Sequence, residues 1–202
     1  MTFGAHPKRD ARFPNLREEV VDGYLSAPQH VLAQVVDGEL FALPRPRRQH
    51  AGVTSVLGEE LGPPFRRGHG GPGGWLILHE PELHLGDLPD IVAPDLAGWR
   101  RQRVPEDFFA ADAPAHIDLA PDWVCEVLSP STEGLDRGRK MRVWRRECVG
   151  HVWLISPELR TLESYRLESG RYSLLDTFEG DASVRAEPYE AIELSLARLW
   201  RP

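Results

Sequence analysis

Cysteine is scarce. Cys125 and Cys148 are the only two in 202 residues, and neither belongs to a Cys/His spacing that builds a zinc site. Both sit in apolar surroundings, WVCEV and RECVG, and read as buried free thiols. Long apolar runs are missing too. No stretch approaches about 18 uninterrupted apolar residues, so no membrane-spanning helix is expected, and Met1 to Arg17 lacks the apolar core of a secretory signal. A cytoplasmic protein follows as the expectation. Basic excess is absent: 24 Lys and Arg stand against 31 Asp and Glu, a net charge of −7. That argues against a surface coated with positive charge for non-specific DNA binding. It leaves a metal-dependent site open, because metal-binding carboxylates add negative charge and the cation reverses the local sign. The Gly/Pro-rich stretch 62–74 has no Gly-Lys-Ser/Thr and reads as a mobile loop, not a phosphate-binding loop. Ser129, Ser131 and Thr132 lack a Gly-x-Ser-x-Gly elbow and read as a turn with a helix cap.

What remains is 41% apolar and 27% charged, the make-up of a globular chain. Its length suggests one domain over 1–202, with 1–17 as a loose N-terminal arm. Residues 15–26 suit a short helix. Residues 30–43 suit a hairpin turning at Asp37-Gly38. Val53, Val56, Leu57 and Leu61 are spaced for an amphipathic helix. Residues 75–85 and 89–99 read as extended, 100–121 as an excursion, and Trp123–Leu128 as a central strand covered on both faces. A basic helix over 133–147, a buried strand at 151–156, a hairpin across 168–170 and an apolar C-terminus complete the pattern. The order predicts an α/β (α+β) fold with a central mixed β-sheet flanked by α-helices.

Two acids stand out. Asp95 follows Pro94 at the end of an apolar strand, and Glu126 lies inside the apolar run WVCEV. A carboxylate there is costly without a partner, and a hard divalent cation would balance both. Lys140 follows fourteen positions after Glu126, on the basic helix. Folded back toward the acids, it could hold an attacking water or stabilise charge growing on a phosphate. Taken singly, Asp95 also suits a turn or cap, Glu126 a buried ion pair, and Lys140 a solvated helix face. Glu82, in EPELHLG, is a candidate third carboxylate. His50 opens a helix and is a candidate for substrate contact. Arg139, Arg142 and Arg146 share a helix face and form a candidate stripe for phosphate contact.

The stretches VAPDLAGW, PDWVCEVLSPST, DRGRK and HVWLISPELRTLESYRL together resemble the Uma-two family of restriction-endonuclease-like proteins, within the PD-(D/E)xK nuclease superfamily. The resemblance covers roughly residues 30–200. It implies a restriction-endonuclease-like core and an endonuclease that hydrolyses DNA phosphodiester bonds with Mg²⁺ or Mn²⁺. It implies Asp95 and Glu126 as metal ligands, and Lys140 as a catalytic lysine moved from strand to helix, since Leu128 fills the usual lysine place. One departure stands: Gln34 in AQVVDGEL occupies a position where relatives carry glutamate, so it would offer an outer-shell amide and no charge. Gln34 and the acidic net charge favour a rival reading, a weakened nuclease fold that binds nucleic acid or protein. A further rival is hydrolysis of some other phosphate ester. A homodimer is the analogy drawn from nucleases that cut both strands.

Overall fold

The structure is a computed structural model that describes Phe13, residues 15–45 and residues 47–201. Helix α1 (Glu18–Leu25) leads into strands β1 (Val31–Val36) and β2 (Glu39–Pro44). Asp37 and Gly38 join them with φ of 52° and 73°, the paired positive values that match a two-residue turn to strand twist. Helix α2 (Arg48–Leu61) follows, burying Val53, Leu57 and Leu61. The stretch expected to be a mobile loop begins instead as a π-helical turn, Gly62–Arg66, with Pro64 and Phe65 buried. Its far end is tied back by a hydrogen bond from Gly73 N to Pro64 O at 2.8 Å.

Four short strands come next: β3 (Trp75–His79), β4 (Leu83–Leu85), β5 (Asp90–Val92) and β6 (Leu96–Arg100). After the excursion come β7 (Trp123–Val127), α3 (Glu133–Leu135), a π-turn at Asp136–Lys140, and α4 (Met141–Arg146). The chain ends with β8 (His151–Ser156), β9 (Thr161–Glu168), β10 (Arg171–Glu179), β11 (Ser183–Val184), β12 (Leu194–Ser195) and α5 (Leu196–Leu199).

The mixed sheet has six strands in the order β10-β9-β8-β7-β6-β3. Only β7 and β8 pair in parallel, across the helical crossover 133–146. It is the central mixed sheet expected, with helices on its faces. A second, antiparallel sheet runs β2-β1-β5-β4, and β11-β12 form a small ribbon. The chain passes between the two large sheets three times, first through α2 from β2 to β3 and then at two short breaks. Glu80 breaks the extended stretch 75–85 with a φ of 44°, and Ala93–Asp95 separate β5 from β6.

Alternation explains the layers. On β7, Trp123, Cys125 and Val127 face a core built with α2 and α5. Val124 points to the other core, shared with Val36, Leu83 and Val92 of the smaller sheet and with Val143 and Trp144 of α4. Both faces of β7 are thus covered, and all five of its residues are buried. Beyond the smaller sheet, α1 packs Val20 and Val21 on Val35 and Ile91. Phe13 and Leu16 join that cluster, so the end of the expected loose arm is anchored; residues 1–12 and 14 lie outside the described residues. Cys125 is a buried free thiol, whereas Cys148 is exposed, contrary to expectation: it sits at the end of the basic helix with a φ of 57°.

Candidate active site

Leu96 of β6 pairs with Cys125 of β7. One step further along this antiparallel register, Asp95 stands beside Glu126. Asp95 Oδ2 accepts a hydrogen bond from Val127 N at 2.6 Å, which fixes the carboxylate against the central strand. The same oxygen lies 3.1 Å from His50 Nε2, in the first turn of α2. Glu126 shares the face of Val124 and is 2% exposed. That face looks toward the helical crossover, and there Lys140 Nζ comes within 2.7 Å of Glu126 Oε1 and 3.1 Å of Asp136 Oδ1. Lys140 and Asp136 lie four apart in the π-turn, both buried. Such turns recur at functional sites.

These groups line one cavity of about 170 Å³. Gln34 and Leu32 of β1, Ser129, Ser131 and Thr132 after β7, and Arg45 and Arg47 before α2 complete its wall. The serines and threonine are tied to each other, Ser129 Oγ lying 3.0 Å from both Ser131 Oγ and Thr132 Oγ1. They form the expected turn, but Thr132 makes no side-chain cap to the helix. The structure therefore gathers Asp95, Glu126, Lys140, Gln34 and His50 at one place.

The electrostatics are lopsided. Three acids, Asp95, Glu126 and Asp136, cluster about one lysine, Lys140, while Arg45 and Arg47 line the same cavity without a bond to any of the three. Burial pushes the Glu126 carboxyl well above the usual carboxylate range; Lys140 opposes this, while Asp136 and Asp95 reinforce it. Burial works against the charged form of Lys140, but Asp136 and Glu126 outweigh it and raise its pKa above that of an ordinary lysine. His50 behaves similarly: burial favours its neutral form, yet Asp95, Asp136 and Glu80 raise its pKa. The acids outnumber the cations bonded to them, and the raised pKa of Glu126 is the consequence. Among the described residues, Glu126 Oε1, although close to Lys140, has no aligned hydrogen-bond donor, and buried His50 Nδ1 has no partner.

Among the described residues, no three His, Cys, Asp or Glu side chains converge as a metal cage. The donor set nonetheless fits Mg²⁺, which takes one or two carboxylates from a protein and completes its shell with water and phosphate oxygens. Surplus buried negative charge and an unaligned carboxylate oxygen are what such an ion would offset.

Two expectations are corrected here. Glu82 is not a third carboxylate of this cavity. Alternation places it with His84 on the opposite face of the smaller sheet, where its Oε1 lies 2.9 Å from His84 Nε2. It lines a separate depression with Phe13 and His116, and its pKa is lowered chiefly by the His84 hydrogen bond. Nor does the stripe of Arg139, Arg142 and Arg146 border the cavity. Arg139 Nη1 bonds Glu39 at 2.6 Å and its guanidinium lies over the Phe41 ring. Arg142 and Arg146 reach Asp37 at 3.4 and 3.3 Å, and Arg146 also pairs with buried Asp90. These arginines clamp the helix to the β1–β2 hairpin. Sequence reasoning passed over Asp136, although its place four residues before Lys140 on one helix face was a usable signal.

The architecture sets the class first. A solved structure titled "a putative nuclease belonging to DUF820 from Anabaena variabilis" shares this fold, with a TM-score of 0.70 and 21% identity over 90% of this chain and 97% of that one. The chain itself belongs to the Uma2 family, described as "Putative restriction endonuclease", whose model matches residues 21–198. No curated protein matches it.

Proposed function

We propose that this protein is a metal-dependent endonuclease that hydrolyses phosphodiester bonds in DNA, with Mg²⁺ or Mn²⁺ as cofactor, and that it acts in the cytoplasm. The observation that carries this reading is the clustering of three acids, Asp95, Glu126 and Asp136, with one bonded lysine, Lys140, in the lining of one cavity, in a chain of this family. No helix of the described residues is long and apolar enough to cross a membrane.

Asp95 and Glu126 are the residues to hold the cation. When bound, the ion lowers the pKa of water and neutralises phosphate charge. The Val127 N–H and His50 keep Asp95 in one orientation. Asp136 holds Lys140 Nζ at the cavity wall, where the ammonium can direct a water or offset charge that grows on the phosphate oxygens. Gln34 can hold a further water through its amide. Water attacks directly, without a covalent enzyme intermediate. Two copies related by a two-fold axis would present one such cavity to each strand of a duplex.

The test is cleavage of supercoiled, linear and single-stranded DNA with Mg²⁺ or Mn²⁺, wild type beside Glu126→Ala. Metal-dependent nicking that falls by about 10²–10³-fold or more in the variant is the expected result. Calorimetric titration with Mn²⁺ accompanies it, with binding lost in Asp95→Ala and Glu126→Ala; an unchanged titration removes the metal assignment. Gln34 favours a second reading, because a buried neutral amide sits in the cavity wall where relatives would carry an acid. Metal binding with no cleavage of any DNA would select that reading, a nuclease fold that binds without cutting.

A further inference from the structure

The arginines nearest the carboxylates are not those of the basic helix. Arg45 and Arg47 line the cavity that holds Asp95 and Glu126. Among the described residues neither has a carboxylate partner; Arg45 donates only to the Gln29 backbone carbonyl, at 2.9 Å. This is unusual company for a free guanidinium. Arg139, Arg142 and Arg146 are all neutralised by acids, yet these two stay at the rim above a floor with surplus negative charge. Arg47 also lines a second cavity of about 350 Å³, which shares His50 and Ser129 with the first as wall residues. Its walls include Leu128, Pro130 and Pro157, apolar surface suited to a sugar or base, together with Glu158 and with Glu133, which is paired to Arg137, so a phosphate is held at the Arg47 end.

Resting on the nuclease reading above, we infer that Arg45 and Arg47 hold the backbone phosphates that flank the scissile one, and that the DNA strand leaves the carboxylates past Arg47 along the second cavity. An anionic strand must approach a protein of net charge −7 over a negatively charged floor. Local cations at the rim supply the attraction that the whole surface does not. Arginine suits the task, since its fixed fork of donors matches phosphate oxygens. Arg48, the first residue of α2 and also without a carboxylate partner among the described residues, adds charge of the same sign beside them.

The experiment is fluorescence anisotropy of labelled single-stranded and duplex DNA with Ca²⁺ in place of Mg²⁺, over a series of salt concentrations. Arg45→Ala and Arg47→Ala should each weaken binding by about tenfold. Each should also reduce the slope of log K against log salt by about one, a change that a merely structural role would not produce. Arg47→Lys should regain most of the slope. Arg142→Ala, which loses only its pairing to Asp37, should change neither quantity. Gln49→Trp, which fills the second cavity from the surface of α2, should weaken binding without altering the slope. Wild-type affinity and slope in both Arg45→Ala and Arg47→Ala would overturn the inference while leaving the nuclease reading in place. A wild-type protein that neither binds nor cuts DNA would overturn both.

Discussion

The helical segment from Glu133 to Arg146 carries two acid–base clusters that differ in balance. Toward the hairpin turn, Arg139, Arg142 and Arg146 meet Glu39, Asp37 and Asp90, cation for anion, largely in contact with solvent. Toward the central strand, Lys140 alone meets Glu126 and Asp136, with Asp95 beside them, away from solvent. The matched set needs nothing more and serves to dock the helix. The unmatched set is costly to keep buried, and such cost is retained where it prepares a site for a cation or a reaction. Counting charges would not separate the two; asking which charges lack partners does.

The comparison can be broken at its buried side with the largest effect. Lys140→Met leaves Glu126 and Asp136 without their cation, and we expect a loss of about 3–5 kcal/mol of stability by chemical denaturation. Excess Mg²⁺ should return part of that loss if Asp95 and Glu126 take up the ion. On the matched side, Arg142→Ala should cost under about 1 kcal/mol, because Arg142 and its partner Asp37 both reach solvent, which screens the pair. DNA cleavage should stay at the wild-type rate in that variant.

A third contact sharpens the contrast. Arg137 reaches Glu163 of β9 through two bonds of 2.7 Å and Glu133 through a third. The Arg137 hydrogen bond comes first among the causes that hold the Glu163 pKa below its ordinary value. With the folded pKa depressed, this contribution is complete above the unfolded value, near pH 4.5, and is lost as pH falls through the folded one. Arg137→Ala should therefore lower the melting temperature at neutral pH, and the gap to wild type should close in strongly acidic solution. The smallest effect concerns charge added to the unmatched side. Gln34→Glu should tighten Mn²⁺ binding by about tenfold, since one further carboxylate joins the cavity; an unchanged calorimetric affinity would place residue 34 away from the ion.

Much of this was legible beforehand, for identifiable reasons. The strands β7 and β8 are short apolar runs that suit burial on both faces, and Asp37-Gly38 prescribes its own turn. Glu126 was conspicuous because an acid in such a run needs a partner, and Asp95 and Lys140 followed from the motif around it. What escaped was anything set by the phase between elements. The stretch 75–85 alternates as though continuous, but the positive φ of Glu80 divides it between two sheets and sends Glu82 to the far face. The basic helix has a correct face assignment for Arg139, Arg142 and Arg146, yet no sequence pattern states whether that face meets a cavity or an acidic hairpin. Asp136 sat among the charges of DRGRK, and its distinguishing mark in the sequence was its place four residues before Lys140.

Asp95 sits where the chain leaves the smaller sheet and enters the larger one, with Glu126 already fixed within the latter. The separation of these two carboxylates is therefore a gauge of how the sheets are set against each other. A substitution deep between them, at Val36 or Val92 for instance, alters no group of the cavity, yet it would change the distance across which the proposed ion is shared. On that proposal, metal affinity is a measurement of packing made at long range.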